Sequence, residues 1–456
     1  MQPSSLIQST IECLGQLLDA WHKEERLPAD VHFQRYTKMR RYIGSKDRQA
    51  IAKRYYHALR HLAILDDLAN DAPAYQCALP YPCPTTNGEA TARAMIFAAL
   101  VAFHECTLDA VKAHADGEKF HPAALTKEEV NWLSQVADRF DEDAIDTSTE
   151  YWILRNNSQW LREALQDSLG KHVLTELAAL QQEAPVDIRV NTLKTTRKAL
   201  QQKLAEEGIE TTLTPTSPIG LRLQKRTPIF NTEVFHEGHF EMQDEGSQIA
   251  ACLVDAKPGM RVVDFCAGAG GKTLAIAAQM KNKGRILAFD TSARRLKELP
   301  LRIRRAGVDN ASWRTIDSES DSFLKRHKKT ADRVLVDAPC SGTGTWRRNP
   351  DLKWRLTERD VNQLMEKQLA ILTSAARLVK PGGRLIYVTC SLLKRENEEV
   401  VDAFLDENMH FKLVCAQKIW DKESIDVSDP SPTYLYLNPG TDGTDGFFAA
   451  TLVRDA

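Results

Sequence analysis

Two cysteines close two apolar stretches that read as strands, Val336-Asp337-Ala338-Pro339-Cys340-Ser341-Gly342 and Tyr387-Val388-Thr389-Cys390-Ser391. Upstream, Val263-Asp264-Phe265-Cys266-Ala267-Gly268-Ala269-Gly270-Gly271-Lys272-Thr273 reads as a strand running into a glycine-rich turn. A turn able to hold a methyl donor, followed by two strand-end thiols with Asp337 beside the first, suits one chemistry in particular: a thiolate adds to a pyrimidine ring so that the neighbouring carbon can accept a methyl group. Carbon 5 of cytosine is a poor nucleophile until sulfur adds at carbon 6, and the same sulfur must leave after carbon 5 has lost its proton. Such a cycle needs a cysteine of lowered pKa, a donor to ring nitrogen 3 and a base late in the cycle. Asp337 fits the second role, if protonated or relaying a proton, and Lys272 either lowers a nearby thiol pKa or holds Asp337 in place. Spacing alone does not decide whether Cys340 or Cys390 attacks. Cys266, the third strand-end thiol, belongs to the glycine turn and is assigned mainly backbone contact.

Within that turn Gly268, Gly270 and Gly271 let the backbone bend tightly and approach a ligand that a side chain would obstruct. Asp290 ends the next expected strand, about 20 residues downstream, where a carboxylate can accept hydrogen bonds from ribose hydroxyls. Asp317 ends the third and is placed to reach an adenine edge. A phosphate-cradling NTPase loop is the rival, because Gly271-Lys272-Thr273 ends like G-x-x-x-x-G-K-[ST] and Leu335-Val336-Asp337 imitates a metal-binding aspartate strand. That pattern fails at its first glycine, which here is Cys266. A dinucleotide oxidoreductase is disfavoured too, since G-x-G-x-x-G is absent and the strand-end cysteines would have no role.

The elements around these motifs alternate. Strands are expected at Arg261–Phe265, Arg285–Asp290, Trp313–Asp317, Arg333–Ala338 and Arg384–Thr389, with helices at Lys272–Met280, Ser292–Ala306 and Glu358–Leu378. Parallel neighbours need crossover helices, so this order predicts a doubly wound, mostly parallel sheet with its ligand at the carboxyl ends of the strands. Edge strands are expected at Phe411–Ala416 and Gly446–Arg454. Earlier in the chain, a strand at Ile188–Leu193, a helix at Thr196–Glu206 and alternating residues from Glu210 to Leu223 predict a small α/β segment over residues 150–240, ahead of a domain spanning 241–456. Residues 1–145 are expected to be helical, because Leu6, Ile11, Leu14, Leu17 and Leu18, then Ile51, Tyr55, Leu59, Leu62 and Leu65, recur at helical spacing. Pro73–Pro84 reads as a surface loop, Thr91–Val111 as a helix, and Asp138–Thr149 as a linker.

Several of these motifs resemble, in order, those of the Sun-type (RsmB/NOP) RNA cytosine-5 methyltransferases: Cys266–Thr273, Asp337–Gly342 and Thr389–Ser391, together with Arg189–Lys194, Gln243–Gln248 and Asp445–Phe448. The likeness runs from about Tyr151 to the end of the chain. Arg40-Arg41-Tyr42-Ile43-Gly44-Ser45-Lys46-Asp47-Arg48 more weakly resembles the NusB-like helical RNA-binding domain of the ribosomal-RNA branch. The resemblance implies a class I methyltransferase fold using S-adenosylmethionine, bound by Cys266, Ala267, Gly268, Ala269, Gly270, Gly271, Lys272, Asp290, Asp317 and Asp337. It implies Cys390 as the nucleophile and Cys340 as the residue that assists release of methylated RNA. The substrate it implies is structured RNA, ribosomal RNA first and tRNA as the alternative. One departure is Ala269, where the family often has proline; a slightly looser turn is expected.

Charge is distributed as an RNA-binding protein requires, although the net value is only -2. Residues 31–60 carry nine Lys or Arg against one Asp, residues 105–150 carry twelve Asp or Glu against four Lys or Arg, and residues 301–356 carry thirteen basic against seven acidic residues. Basic patches on a balanced protein fit a surface that tracks phosphates. Arg40, Arg41, Lys46 and Arg48 are candidate contacts, and so are Trp346, Arg347, Arg348, Lys353, Trp354 and Arg355, whose tryptophans either stack on bases or pack under the loop. The nine cysteines are scattered with no C-x-x-C pair, which argues for a reducing compartment and against zinc. With no signal-like start and no run of about 18 uncharged apolar residues, a soluble, cytoplasmic protein is expected, by default a monomer.

Overall fold

The computed structural model describes residues 1–75, 87–140, 143–415 and 433–456. Part of the expected Pro73–Pro84 loop, two residues of the expected 138–149 linker and the end of the expected strand at Phe411–Ala416 lie outside the described residues. The chain forms two compact units: Met1–Gln166 with Lys171–Gln182 and Trp346–Thr357, and Asp167–Gly170 with Glu183–Thr345 and Glu358–Ala456.

Helices build the first unit, among them Pro3–His22, Ala29–Met39, Ser45–Arg60, Leu62–Ala69, Gly88–Ala102 and Lys127–Arg139. Its core contains most of the set read from the helical spacing: Ile11, Leu14, Leu17, Leu18, Ile51, Tyr55, Leu59, Leu62 and Leu65 are all fully buried, whereas Leu6 is half-buried and packs against them. The helix expected over Thr91–Val111 is two, Gly88–Ala102 and Leu108–His114, and Thr107 caps the second by accepting the Ala110 N–H. The unit does not stop at the polar stretch 138–149. Helix Glu150–Arg155 continues it, because Trp152 is buried in the same core, and the unit takes up Lys171–Gln182 as well.

The second unit contains two sheets. Strands β1 (Asp187–Val190), β2 (Thr211–Leu213), β3 (Gly220–Leu223) and β4 (Phe240–Met242) form an antiparallel sheet in the order β2-β3-β1-β4. Helix Arg197–Glu206 buries Leu200 and Leu204 with Ile188, Val190 and Phe240.

The larger sheet comprises β5 (Arg261–Asp264), β6 (Arg285–Asp290), β7 (Ala311–Thr315), β8 (Ala331–Asp337), β9 (Val379–Thr389), β10 (Phe411–Leu413), β11 (Tyr434–Leu437) and β12 (Phe447–Arg454). Its order is β10-β12-β9-β8-β5-β6-β7, with β11 also paired to β12. Strands β5 to β9 are mutually parallel, and β12 runs antiparallel beside β9. The expected doubly wound sheet is therefore present. The chain reverses direction across the sheet at β5, which lies between β6 and β8, so the ligand crevice belongs at the carboxyl ends of these strands. The single helix expected over Ser292–Ala306 is broken into Ala293–Leu296 and Leu299–Ala306, with Pro300 in the first turn of the second, where its missing N–H costs nothing. Among the described residues no helix is long and apolar enough to cross a membrane.

Candidate active site

The turn after β5 is shaped by its glycines. Gly268 and Gly270 have φ of +56° and +85°, and a Cβ on Gly270 would lie 2.1 Å from Leu299 Cδ1. Gly270 then caps helix Gly271–Gln279, whose first backbone N–H groups are unsatisfied within the helix. Neighbours hold the turn by its carbonyls: Arg302 donates to Ala269 O at 2.8 Å, and Arg189 of β1 donates to Gly271 O at 2.5 Å. Arg302 and Arg305 are in turn paired with buried Glu241 of β4. Thus the small sheet braces the turn through polar contacts that the sequence did not announce.

Asp290 ends β6 with both oxygens already engaged, Oδ2 accepting the Gly268 N–H at 2.8 Å and Oδ1 the Ser292 N–H at 2.7 Å. Each oxygen keeps a lone pair for a ligand hydroxyl. Asp317 is exposed just past β7, and its N–H donates to Asp321. Asp264, which sequence reasoning passed over, is fully buried beneath the turn: its Oδ2 accepts the Thr273 hydroxyl at 2.6 Å, while Oδ1 has no protein partner. Burial pushes its pKa up to about 7. Burial likewise pushes the Cys266 thiol up, helped by the carboxylates of Asp337, Asp264 and Asp290, so Cys266 is no candidate nucleophile.

Residues from the ends of β8 and β9 meet beside this turn. Lys272 Nζ lies 2.7 Å from Asp337 Oδ2 and 5.3 Å from the centre of the Phe447 ring. Lys272 is thus placed to hold Asp337, one of the two roles read for it. The Cys340 and Cys390 sulfurs are 3.3 Å apart. Contact with Cys390, then burial and the charge of nearby Glu396, push the Cys340 pKa well above the usual thiol value. In the Cys340 loop, Gly344 packs its backbone directly on Gly446: a Cβ there would come within 2.3 Å of Gly446 O. Gly344 N–H donates to Cys390 O at 3.0 Å, tying one cysteine loop to the other. Glu396, absent from the sequence reading, is buried under both loops. Its only sequence signal was a place just past Cys390, in a polar run that reads as a solvated helix start.

The residues after the Cys340 loop are not laid out as an RNA-stacking surface. Trp346 and Trp354 are buried in the helical unit, as are Arg347 and Lys353, so packing is the reading that holds. Trp354 Nε1 donates to Leu59 O at 2.6 Å. Lys353 Nζ donates to Arg60 O and Asn156 O, satisfying carbonyls at two helix ends. Arg355 is held by Asp351. Arg348 stays exposed. On the other basic cluster, Arg41, Lys46 and Arg48 are exposed, whereas Arg40 is paired with Glu12 and lies over the Tyr36 ring.

Comparison with known proteins fits this arrangement. Residues 251–453 match the family model described as 16S rRNA methyltransferase RsmB/F, and residues 157–230 match its RsmF/B-like, ferredoxin-like domain. The probable ribosomal RNA small subunit methyltransferase B of Synechocystis is 34% identical over 69% of each chain. The chain belongs to the RsmB/F family of RNA methyltransferases. Its likeness to RsmB/F proteins extends beyond the matched domains: ribosomal RNA small subunit methyltransferase B of Pectobacterium carotovorum is 28% identical over 97% of each chain. The crystal structure of PH0851, 28% identical, superimposes over 99% of both chains with a TM-score of 0.75. The resemblance read from the ordered motifs is therefore upheld at the level of the family, and the NTPase reading falls away.

Proposed function

We propose that this protein methylates carbon 5 of a cytosine in ribosomal RNA, with S-adenosylmethionine as donor and Cys390 as the attacking sulfur. The observation that carries the reading is the convergence, at neighbouring strand ends of an RsmB/F methyltransferase, of two sulfurs 3.3 Å apart with a Lys272–Asp337 pair. The glycine turn fits the donor on structural grounds: nothing lies within 4 Å of where a Gly268 side chain would begin, and buried Asp264 Oδ1 below it lacks a protein partner. Bound there, S-adenosylmethionine supplies an electrophilic methyl group.

The chain's own residues supply the rest. Cys390, as thiolate, adds to carbon 6, which makes carbon 5 nucleophilic towards the methyl group. Asp337, held through Oδ2 by Lys272, relays a proton from water through its other oxygen to ring nitrogen 3 as sulfur adds at carbon 6, and the resulting carboxylate stabilises the adduct until that proton is lost again on release. After methyl transfer the carbon 5 proton departs to a base and the carbon 6–sulfur bond breaks, regenerating the Cys390 thiolate. Cys340, kept as a thiol beside Cys390, assists that release.

The test is methyl transfer from labelled donor to ribosomal RNA and to tRNA, with bisulfite mapping of the product. A single protein-dependent 5-methylcytosine in ribosomal RNA is expected, absent with Cys390→Ala. Methylation confined to tRNA would move the substrate, and label at any atom other than cytosine carbon 5 would overturn the chemistry.

A further inference from the structure

Glu396 is wholly buried, six residues beyond Cys390. Its carboxylate accepts the backbone N–H of Ser341 at 2.8 Å, the Ser341 hydroxyl, the Ser391 hydroxyl at 2.5 Å and the side-chain amide of Gln368 at 3.0 Å. Ser341 follows Cys340 and Ser391 follows Cys390. Gln368 also donates to Pro339 O at 2.9 Å, so the backbone is held on both sides of Cys340. Around this centre, Tyr387 donates to Glu396 O at 2.7 Å, and Asn397 accepts from Thr389 and donates to Ser391 O. Among the described residues no lysine or arginine forms an ion pair with Glu396.

A buried carboxylate without a cationic partner is expensive, and it persists only where several donors satisfy it. A neutral side chain could join two loops at smaller cost in desolvation. The site retains the charge beside the two sulfurs. Resting on the function proposed above, we propose that Glu396 is a positioning residue for methyl transfer: its charged carboxylate ties the Cys340 and Cys390 loops together and fixes the division of labour between the two sulfurs. Its four donors come from the segments that carry those sulfurs and from the helix behind them. Its charge adds to the contact with Cys390 and to burial in disfavouring the Cys340 thiolate.

The experiment uses the full-length protein and two variants. Glu396→Gln keeps the shape and removes the charge; Ser391→Ala keeps the charge and removes one arm. The first readout needs no RNA: iodoacetamide alkylation of Cys340 is followed against pH by peptide mass mapping. Glu396→Gln is expected to lower the Cys340 midpoint, and Ser391→Ala to leave it unchanged. In the second readout, kcat falls about 10- to 100-fold in Glu396→Gln and about 5-fold or more in Ser391→Ala, with RNA KM and donor affinity within about 2-fold of wild type. A purely structural staple would instead lower Tm and leave both readouts of the folded fraction at wild-type values, which overturns the proposal. If Glu396→Gln does not fold, unchanged kcat in Ser391→Ala overturns it and a reduced kcat supports it. Absence of methyl transfer by the wild type would strike the proposed function, while the alkylation profile would still decide whether Glu396 sets the Cys340 thiol.

Discussion

Cys340 and Cys390 bring their sulfurs within 3.3 Å of each other across fifty residues of chain. They meet because β8 and β9 are adjacent parallel strands, paired as far as Asp337 with Val388, so both polypeptide ends emerge on the same side of the sheet. Two thiols that close cannot act independently. In the proposed cycle the one that adds to carbon 6 must later leave, and the other lies against it.

Distinct outcomes are expected when each is removed. Cys390→Ala abolishes methylation and any covalent adduct, whereas Cys340→Ala leaves protein attached to RNA as a denaturant-resistant complex. Denaturing electrophoresis with labelled transcript reads both. The reverse pattern would exchange the roles of the two residues.

The Lys272–Asp337 pair gives a second expectation. Asp337→Asn cannot neutralise Lys272, whose side chain is only 9% exposed, and removes the anion that supports protonated ring nitrogen 3. Turnover is expected to fall about 10²- to 10⁴-fold, the range for a lost acid–base group, with circular dichroism unchanged. Wild-type turnover in this variant would remove the aspartate from the mechanism.

The sheet was legible because its central strands β5, β6 and β8 are short apolar runs separated by helical periods, and the chemical motifs sit where such runs end. Strand β8, for instance, announces itself in Val334, Leu335 and Val336, all fully buried. What stayed hidden depends on contacts distant in sequence. Trp354 resembles a stacking residue when read beside Arg347 and Arg348, and only the Leu59 carbonyl explains its burial. Glu396 looks like any surface glutamate until two serines from separate loops are brought onto it. Strand β11 went unannounced, since its pairing with β12 rather than its own pattern defines it. Local periodicity reports which face is apolar; it carries no record of which distant polar atom a side chain will meet.

RNA affinity should separate the two basic clusters. Trp354→Phe keeps most of the packing but strands the Leu59 carbonyl, costing about 1–3 kcal/mol of stability while leaving RNA affinity unchanged. Arg41→Glu and Lys46→Glu change exposed charges. Each is expected to weaken RNA binding and to reduce the slope of log affinity against log salt by about one. Filter binding across a salt series checks this, and an undiminished slope in both charge variants would take that face out of RNA contact.

Acid should loosen the helical unit through His32. Burial, and then the charges of Arg35 and Arg40, hold its pKa down to about 4, with the Tyr55 hydroxyl and the Cys13 sulfur near Nδ1. A histidine kept neutral in the fold but free to protonate near 6.5 when unfolded stabilises the fold fully above that upper value. Its contribution is lost as pH falls from about 6.5 towards 4, because the unfolded chain then binds the extra proton. Allowing for partial exposure, the loss amounts to about 2 kcal/mol. Urea unfolding at a series of pH values should show that decline, and His32→Phe should flatten it in this window. An equally steep decline in the variant would assign the acid sensitivity to other groups, of which His61, also held low by burial, is the first to examine.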